Sequence, residues 1–432
     1  MTKWDAYMNQ LQYLIDQKIF ALEYQKLLDD QKNDIKQTLD FLTEKEMVKA
    51  LYKNHVLNQI EITPDDYQTA YLRSKRKIQL EYIIGKNRQH LEEYRKIMME
   101  KSVQDINLKD PSTEQKGITP MFSFGDMDET VESVAFGLKP FEVSNIFSIG
   151  DEYMVIKLVN GETNKFASEI ELAFQKPSLK KVITDRKAKP LAVKYINKLM
   201  DGVNIHIDPQ LFRQLSELIR NQIHGRSRQN PIENPVNNAE LNNIAVSLEE
   251  LFEAPLATYD GKKMTIKQFL DFYRIIPPQV RPSIHKPKLL RDAIVKFIEF
   301  QYLTDQAYDE ELDKDPEVLR AADIQRKEYL AFHYLKSVKK SLVVDDPMIK
   351  EFRESEKMAR FEKVLGRVPA DEDIRTYIMN DLFANRVLEL SDSLRKTYRV
   401  EIFENSMRKL IKDSSDTLVH DPIVLDYKER FF

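Results

Sequence analysis

The run from Gly125 to Leu158, GDMDETVESVAFGLKPFEVSNIFSIGDEYMVIKL, admits few folds. Val131, Val134, Ala135 and Leu138 recur at helical spacing. Leu138-Lys139-Pro140 ends that helix, because proline lacks the main-chain donor the ladder needs. Val143, Ile146 and Phe147 are apolar positions ahead of a Gly150-Asp151 turn, and Tyr153 to Val159 is a short, mostly apolar strand between turn signals. The run therefore predicts helix, turn, strand, turn, strand. Upstream, Ile78 to Ile84 predicts a first strand, His90 to Glu100 a helix, and Asp110-Pro111-Ser112 a loop.

Around this run the chain predicts mostly helix. It has 432 residues, enough for two or three domains each with its own core, and only 10 glycines. Met8, Leu11, Leu14, Ile15, Ile19 and Leu22 form a stripe on one helix face. Phe41 to Gln59 is a second amphipathic segment. Thr63-Pro64 predicts a capped helix start, with proline at the first helical position.

The same succession returns later in the chain. Shifted by 283 residues, Leu11, Leu14, Ile15, Ile19 and Phe20 fall on Ile294, Phe297, Ile298, Tyr302 and Leu303. With one residue slipped, Met47, Tyr52, Val56, Ile62 and Tyr67 fall on Tyr329, Tyr334, Val338, Val344 and Ile349. A second overlay sets Tyr195 to Leu215 on Leu390 to Leu410, each predicted as helix, strand, helix. Asn221 to Asn243, rich in asparagine, marks a linker between the copies. Beyond it, Pro255 to Tyr273 predicts a hairpin turning at Asp260-Gly261, then a helix capped by Thr265. The last twenty residues, with Ile423, Val424, Leu425, Phe431 and Phe432, are expected to dock on the body or fray.

On Gly125, Met127, Val134-Ala135-Phe136, Leu138-Lys139-Pro140, Glu142-Val143-Ser144, Tyr153 and Ile156-Lys157-Leu158, the run resembles the second half of a parvulin-type (PpiC-type) peptidyl-prolyl isomerase domain. The resemblance spans residues 77 to 161, about a fifth of the chain, with the Asp110-Pro111-Ser112 loop lying beside the substrate proline in that family. The hairpin, the helix pair and a helix opening before an isomerase position resemble the SurA and PrsA-type extracytoplasmic foldases. The expected fold is thus α+β and mostly helical, with one small α/β domain of β-α-β-α-β-β type inserted in the first of two duplicated helical units. The expected divisions are 1–76, a first helical chaperone-like unit; 77–161, the parvulin-like domain; 162–222, its helix-strand-helix tail; 223–247, a linker; 248–360, the hairpin and second helical unit; and 361–432, the second tail and C-terminus.

Isomerisation of an X-Pro bond faces a barrier of about 18–20 kcal/mol and needs an apolar pocket for the ring and stabilisation of a twisted amide, not a covalent nucleophile. In parvulins two core histidines, an Asp or Cys, a Met, a Gln, a Phe and a Thr surround one cleft. The resemblance carries Asp110 onto the Asp or Cys position and Met127 onto the methionine. Tyr82 replaces the first-strand histidine, Asp126 the glutamine, Val131 the phenylalanine, Ile149 the threonine and Met154 the last-strand histidine. Loss of both imidazoles implies weak or absent isomerase activity. Residue by residue, ordinary roles also serve: Tyr82 and Met154 as strand core, Asp110 as a turn former.

Other chemistry is excluded on simple grounds. Without cysteine there are no disulfides, thiolate nucleophiles or cysteine-bound zinc. The seven histidines never come within ten residues of one another, so no helix-face metal pair exists, and no cofactor is expected. A net charge of −4 predicts no nucleic-acid footprint. No run of 18 apolar residues predicts a membrane span, and the first residues form an amphipathic helix rather than a signal peptide. The resemblance implies a periplasmic or otherwise extracytoplasmic folding factor that binds unfolded or nascent envelope polypeptides. The alternatives are an active isomerase and a non-catalytic structural subunit docking a fixed partner.

Overall fold

The computed structural model describes residues 2–28, 32–164, 169–226, 234–276 and 280–413. The chain divides into two compact units, Leu51–Val203 and Met1–Ala50 with Asn204–Phe432. Among the described residues the architecture is mostly helical α+β, with two small antiparallel sheets. The chain opens with α1, Lys3–Leu27, and α2, Lys32–His55.

In the unit Leu51–Val203, α3 spans Pro64–Ser74 and starts at a capping box: Thr63 accepts from the Asp66 amide, and the Asp66 carboxylate accepts from the Thr63 amide. There follow β1 (Arg76–Gly85), α4 (Arg88–Met98), β2 (Glu114–Ile118), α5 (Glu129–Ala135), β3 (Phe147–Ile149), β4 (Glu152–Thr163) and α6 (Glu169–Leu199). The strands pair antiparallel in the order β2-β1-β4-β3, which gives the expected β-α-β-α-β-β succession. Alternation along β1 sends Ile78 and Leu80 to the face covered by α5, and Ile83 to the face covered by α4. The helix expected to run to Leu138 stops at Ala135. The amides of Gly137 and Leu138 bond three residues back, to Val134 and Ala135, and this tightening turns the chain away.

In the other unit, β5 (His206–Ile207) and α7 (Pro209–His224) are followed by α8 (Asn238–Ser247), the hairpin β6 (Pro255–Tyr259) and β7 (Lys262–Thr265), and α9 (Ile266–Ile275). Then come α10 (Pro287–Asp309), α11 (Pro316–Ser341), α12 (Asp346–Glu354), α13 (Glu356–Leu365), α14 (Asp371–Thr397) and α15 (Glu404–Asp413). Thr265 caps α9 as expected, in a capping box with Gln268. Within the stretch expected as linker, residues 238–247 are helical because Asn237 and Glu240 form a capping box of their own. The expectation for the last twenty residues lies outside the described residues.

Two small helix-helix cores lie at positions that the expected repeat relates. Ala70, Tyr71, Leu179 and Ile183, joined by Ile62 and Tyr67, close a core between α3 and α6. Val344, Ile349, Phe352 and Ile374, joined by Ile378, close another between α12 and α14. The first overlay carries Ile62 onto Val344 and Tyr67 onto Ile349; the shift of the second, continued upstream of Tyr195, sets Leu179 and Ile183 on Ile374 and Ile378. From Tyr67 to Leu179 is 112 residues and from Ile349 to Ile374 only 25, a difference of 87 that matches the length of the sheet domain. The second tail departs from the first. β5 is a strand because β6 lends it an edge, through Ile207 opposite Ala257, whereas no strand among the described residues pairs with Val400 to Ile402, which have no regular structure.

The stripe expected on α1 is not the face that packs most tightly. Leu14 and Leu22 are exposed, while Asp16, Gln17, Ile19, Phe20 and Ala21 are buried. The cause is a partner far away in sequence: Arg395 on α14 donates two hydrogen bonds of 2.7 Å to the Asp16 carboxylate. Phe20 meanwhile packs with Ala331, Tyr334 and Leu335 of α11 and Phe383 and Val387 of α14.

Candidate functional site

Five of the seven candidate cleft residues gather on one face of the larger sheet. Val131 on α5 and Met154 on β4 are buried in the core there, and Tyr82, Met127 and Ile149 pack against it half-buried. The strand period puts them together. Tyr82 on β1 stands opposite Ile156 and Ile84 opposite Met154, so Tyr82 and Met154 are diagonal neighbours on one face. Phe147 of β3 lies opposite Met154 from the other side. Gly117 of β2, opposite Tyr82, leaves room for the phenol: a Cβ there would sit 2.9 Å from the Tyr82 hydroxyl oxygen.

Apolar side chains and the Tyr82 phenol line this face, and Tyr82 and Met154 stand where the resemblance places the two histidines, so neither position supplies an imidazole. Among the described residues no group of His, Cys, Asp and Glu side chains is arranged to hold a metal ion.

Asp126 and Asp110 stand apart from that cluster. Asp126 is exposed, and its carboxylate closes a turn by accepting from the Ser123 amide at 2.8 Å. Asp110 accepts from the Ser112 and Thr113 hydroxyls and the Ser112 amide, and these bonds hold its carboxyl below the usual range. Both carboxylates therefore do the local work of turn formers.

Two buried carboxylates that were not singled out from the sequence organise the loops around the sheet. Glu132 on α5 is fully buried. One of its oxygens accepts from the amides of Gly125 and Met127, at 2.8 and 3.0 Å, and the other from Arg186 of α6 at 2.8 Å. Gly125, at a φ of +95°, lies so close to α6 that a Cβ would meet Val182 at 2.9 Å. On the other face of the sheet, against α4, Glu114 of β2 accepts from the Tyr94 hydroxyl at 2.7 Å and the Asp110 amide at 3.1 Å, and lies 2.6 Å from His90 Nδ1. Burial pushes the Glu114 carboxyl up, but the bonds from Tyr94, His90 and Asp110 outweigh it and leave it below its ordinary value. Sequence offers only a faint trace of this cluster, His90 and Tyr94 one turn apart on α4.

No protein-family model matches the chain, and no curated protein does. The chain is similar, at low TM-score, to solved structures of bacterial foldases. Foldase protein PrsA from Streptococcus pneumoniae is 16% identical over 42% of this chain and 79% of its own, with a TM-score of 0.23. The peptidylprolyl isomerase PrsA from Bacillus anthracis is 16% identical over 44% and 96%, with a TM-score of 0.21. PrsA from Bacillus subtilis is 22% identical over 48% and 88%, with a TM-score of 0.17. Likeness at this level carries no argument about function, which rests on the residues themselves.

Proposed function

We propose that the protein is an extracytoplasmic folding factor that binds unfolded or partly folded polypeptides, with its parvulin-like domain serving as a binding surface rather than a proficient isomerase. The observation that carries this is the apolar cluster of Tyr82, Met127, Val131, Ile149 and Met154, in which Tyr82, Met127 and Ile149 are only half-buried and Tyr82 and Met154 stand where the resemblance places the imidazole pair. Such a face gains affinity from burying apolar surface and supplies nothing that grows stronger as the amide twists. The resemblance to the SurA and PrsA-type foldases supports the compartment and the client class. Among the described residues no helix is long and apolar enough to cross a membrane.

Two measurements test the proposal. Exchange of a short X-Pro peptide followed by NMR runs at the uncatalysed rate with micromolar protein present, and clear exchange broadening would make the domain an isomerase. Diluted into buffer with an equimolar amount of this protein, two or three unrelated denatured proteins scatter less light than without it. A fixed-partner subunit gives no such protection, because its interface is matched to one folded surface.

A further inference from the structure

Three helix faces in the unit containing the chain's second half enclose a groove of about 440 Å3. From α1 come Lys18, Ala21, Leu22 and Gln25, one face by their spacing of three and four. α2 adds Ile35, Lys36, Leu39 and Asp40, and α11 adds Asp323, Arg326, Lys327 and Leu330. The floor is apolar, with Ala21 and Leu330 buried beneath Leu22 and Leu39. Among the described lining residues the rim is cationic: Lys327 is taken up by Asp323, and Lys18, Lys36 and Arg326 outnumber the remaining acid, Asp40.

We propose that this groove binds an extended polypeptide segment whose bulky aliphatic side chains are flanked by carboxylates. The inference rests on the folding-factor reading and adds to it a place and a chemistry. Leucine and isoleucine side chains on three independent helices accept varied apolar groups, while the unbalanced cations favour acidic flanks and disfavour basic ones. Charges at an open rim act through water, so the preference must weaken with salt.

The probe is a fluorescein-labelled twelve-residue peptide with an Ile-Val-Leu core between aspartates, set against the same core between lysines, each titrated with the full chain and read by anisotropy. The acidic peptide is expected to bind at least tenfold tighter, with the preference shrinking several-fold from 50 to 300 mM NaCl. Combined Lys18→Glu, Lys36→Glu and Arg326→Glu substitutions, all at exposed positions, should reverse the preference. Leu22→Asp, also exposed, should weaken both peptides. Far-UV circular dichroism shows that the variants are folded. Equal binding of the two peptides, binding of neither, or a preference untouched by the charge reversal overturns the groove assignment. Aggregation suppression run in parallel separates the two ideas: suppression that persists while the peptide preference fails leaves the folding factor standing and places its client contacts elsewhere.

Discussion

Arg186 on α6 donates to Glu132 on α5 across 2.8 Å, and the Glu132 side chain is fully buried. The pair fastens the sheet domain to the long helix that follows it, and the second Glu132 oxygen holds the loop that carries Met127 into the candidate cleft. Removing one partner of a buried pair leaves an uncompensated charge. Arg186→Met is therefore expected to destabilise this unit by about 3 kcal/mol. Glu132→Gln keeps one acceptor oxygen and should cost less, while speeding exchange at the Gly125 and Met127 amides. Hydrogen exchange on the full chain checks both; unchanged protection in Arg186→Met would show that the pair contributes nothing.

The Glu114 cluster gives the same unit a pH dependence with two limbs. A carboxyl held below its ordinary value stabilises the fold above about pH 4.3, and that stabilisation is lost as the pH falls further. Tyr94, pushed up to about 12 by burial and by its bond to Glu114, works in the opposite sense. Its contribution is complete below about pH 10 and fades as the pH rises toward 12. His90, Asp110, Lys109 and Glu93 are further titratable residues in contact with the cluster or one bond beyond it. Melting temperatures of the parent and of Glu114→Gln should differ at pH 6 and converge as the pH approaches 3; a constant gap would remove Glu114 from the account.

Tyr82 and Gly117 are coupled by space. Gly117→Ala puts a methyl group 2.9 Å from the phenol oxygen and 3.0 Å from ring carbons, so the ring must swing out of its place on the cleft face. The expected cost is about 1 kcal/mol for the strained packing. Tyr82→Leu removes the obstacle, so the double variant should lose less than the sum of the two single ones. Additive losses in a double-mutant cycle read by thermal unfolding would show that the ring does not lie over β2.

The regular parts of the sheet domain were legible in sequence because alternation and turn residues act locally. Ile78, Leu80 and Tyr82 fall on one face by period two alone, and Gly150 turns at a φ of +58° where glycine is favoured. Convergence of Tyr82, Met127, Val131, Ile149 and Met154 follows from that alternation plus the resemblance. What escaped depends on partners distant in the chain. The buried Asp16 carboxylate is met by Arg395, and the buried Glu132 by Arg186 and by the Gly125 and Met127 amides. Val400 to Ile402 have the pattern of β5 yet pair with no strand among the described residues, which no local signal reveals. For Asp110 and Asp126 the residue type was legible and the direction of the side chain was not, since each closes its own turn.

Phe141 has a φ of +65° and is 69% exposed. For a side chain with a Cβ this left-handed backbone costs roughly 1–2 kcal/mol, and glycine adopts it freely. The conformation is imposed from both sides: the Phe141 amide donates to Leu158 O at 2.7 Å, and Glu142 accepts from Leu158 through its carbonyl. An exposed ring recovers little of the cost by burial. Phe141→Gly is accordingly expected to stabilise the sheet domain by about 0.5–1 kcal/mol, after the greater chain entropy of glycine in the unfolded state is set against the relief. Phe141→Ala retains the Cβ, so it should bring no such gain, and the pair of variants separates backbone relief from loss of the ring. Thermal unfolding decides it: a midpoint raised by a few degrees in the glycine variant only is the expected result, and equal midpoints in both variants would mean that the left-handed turn carries no strain.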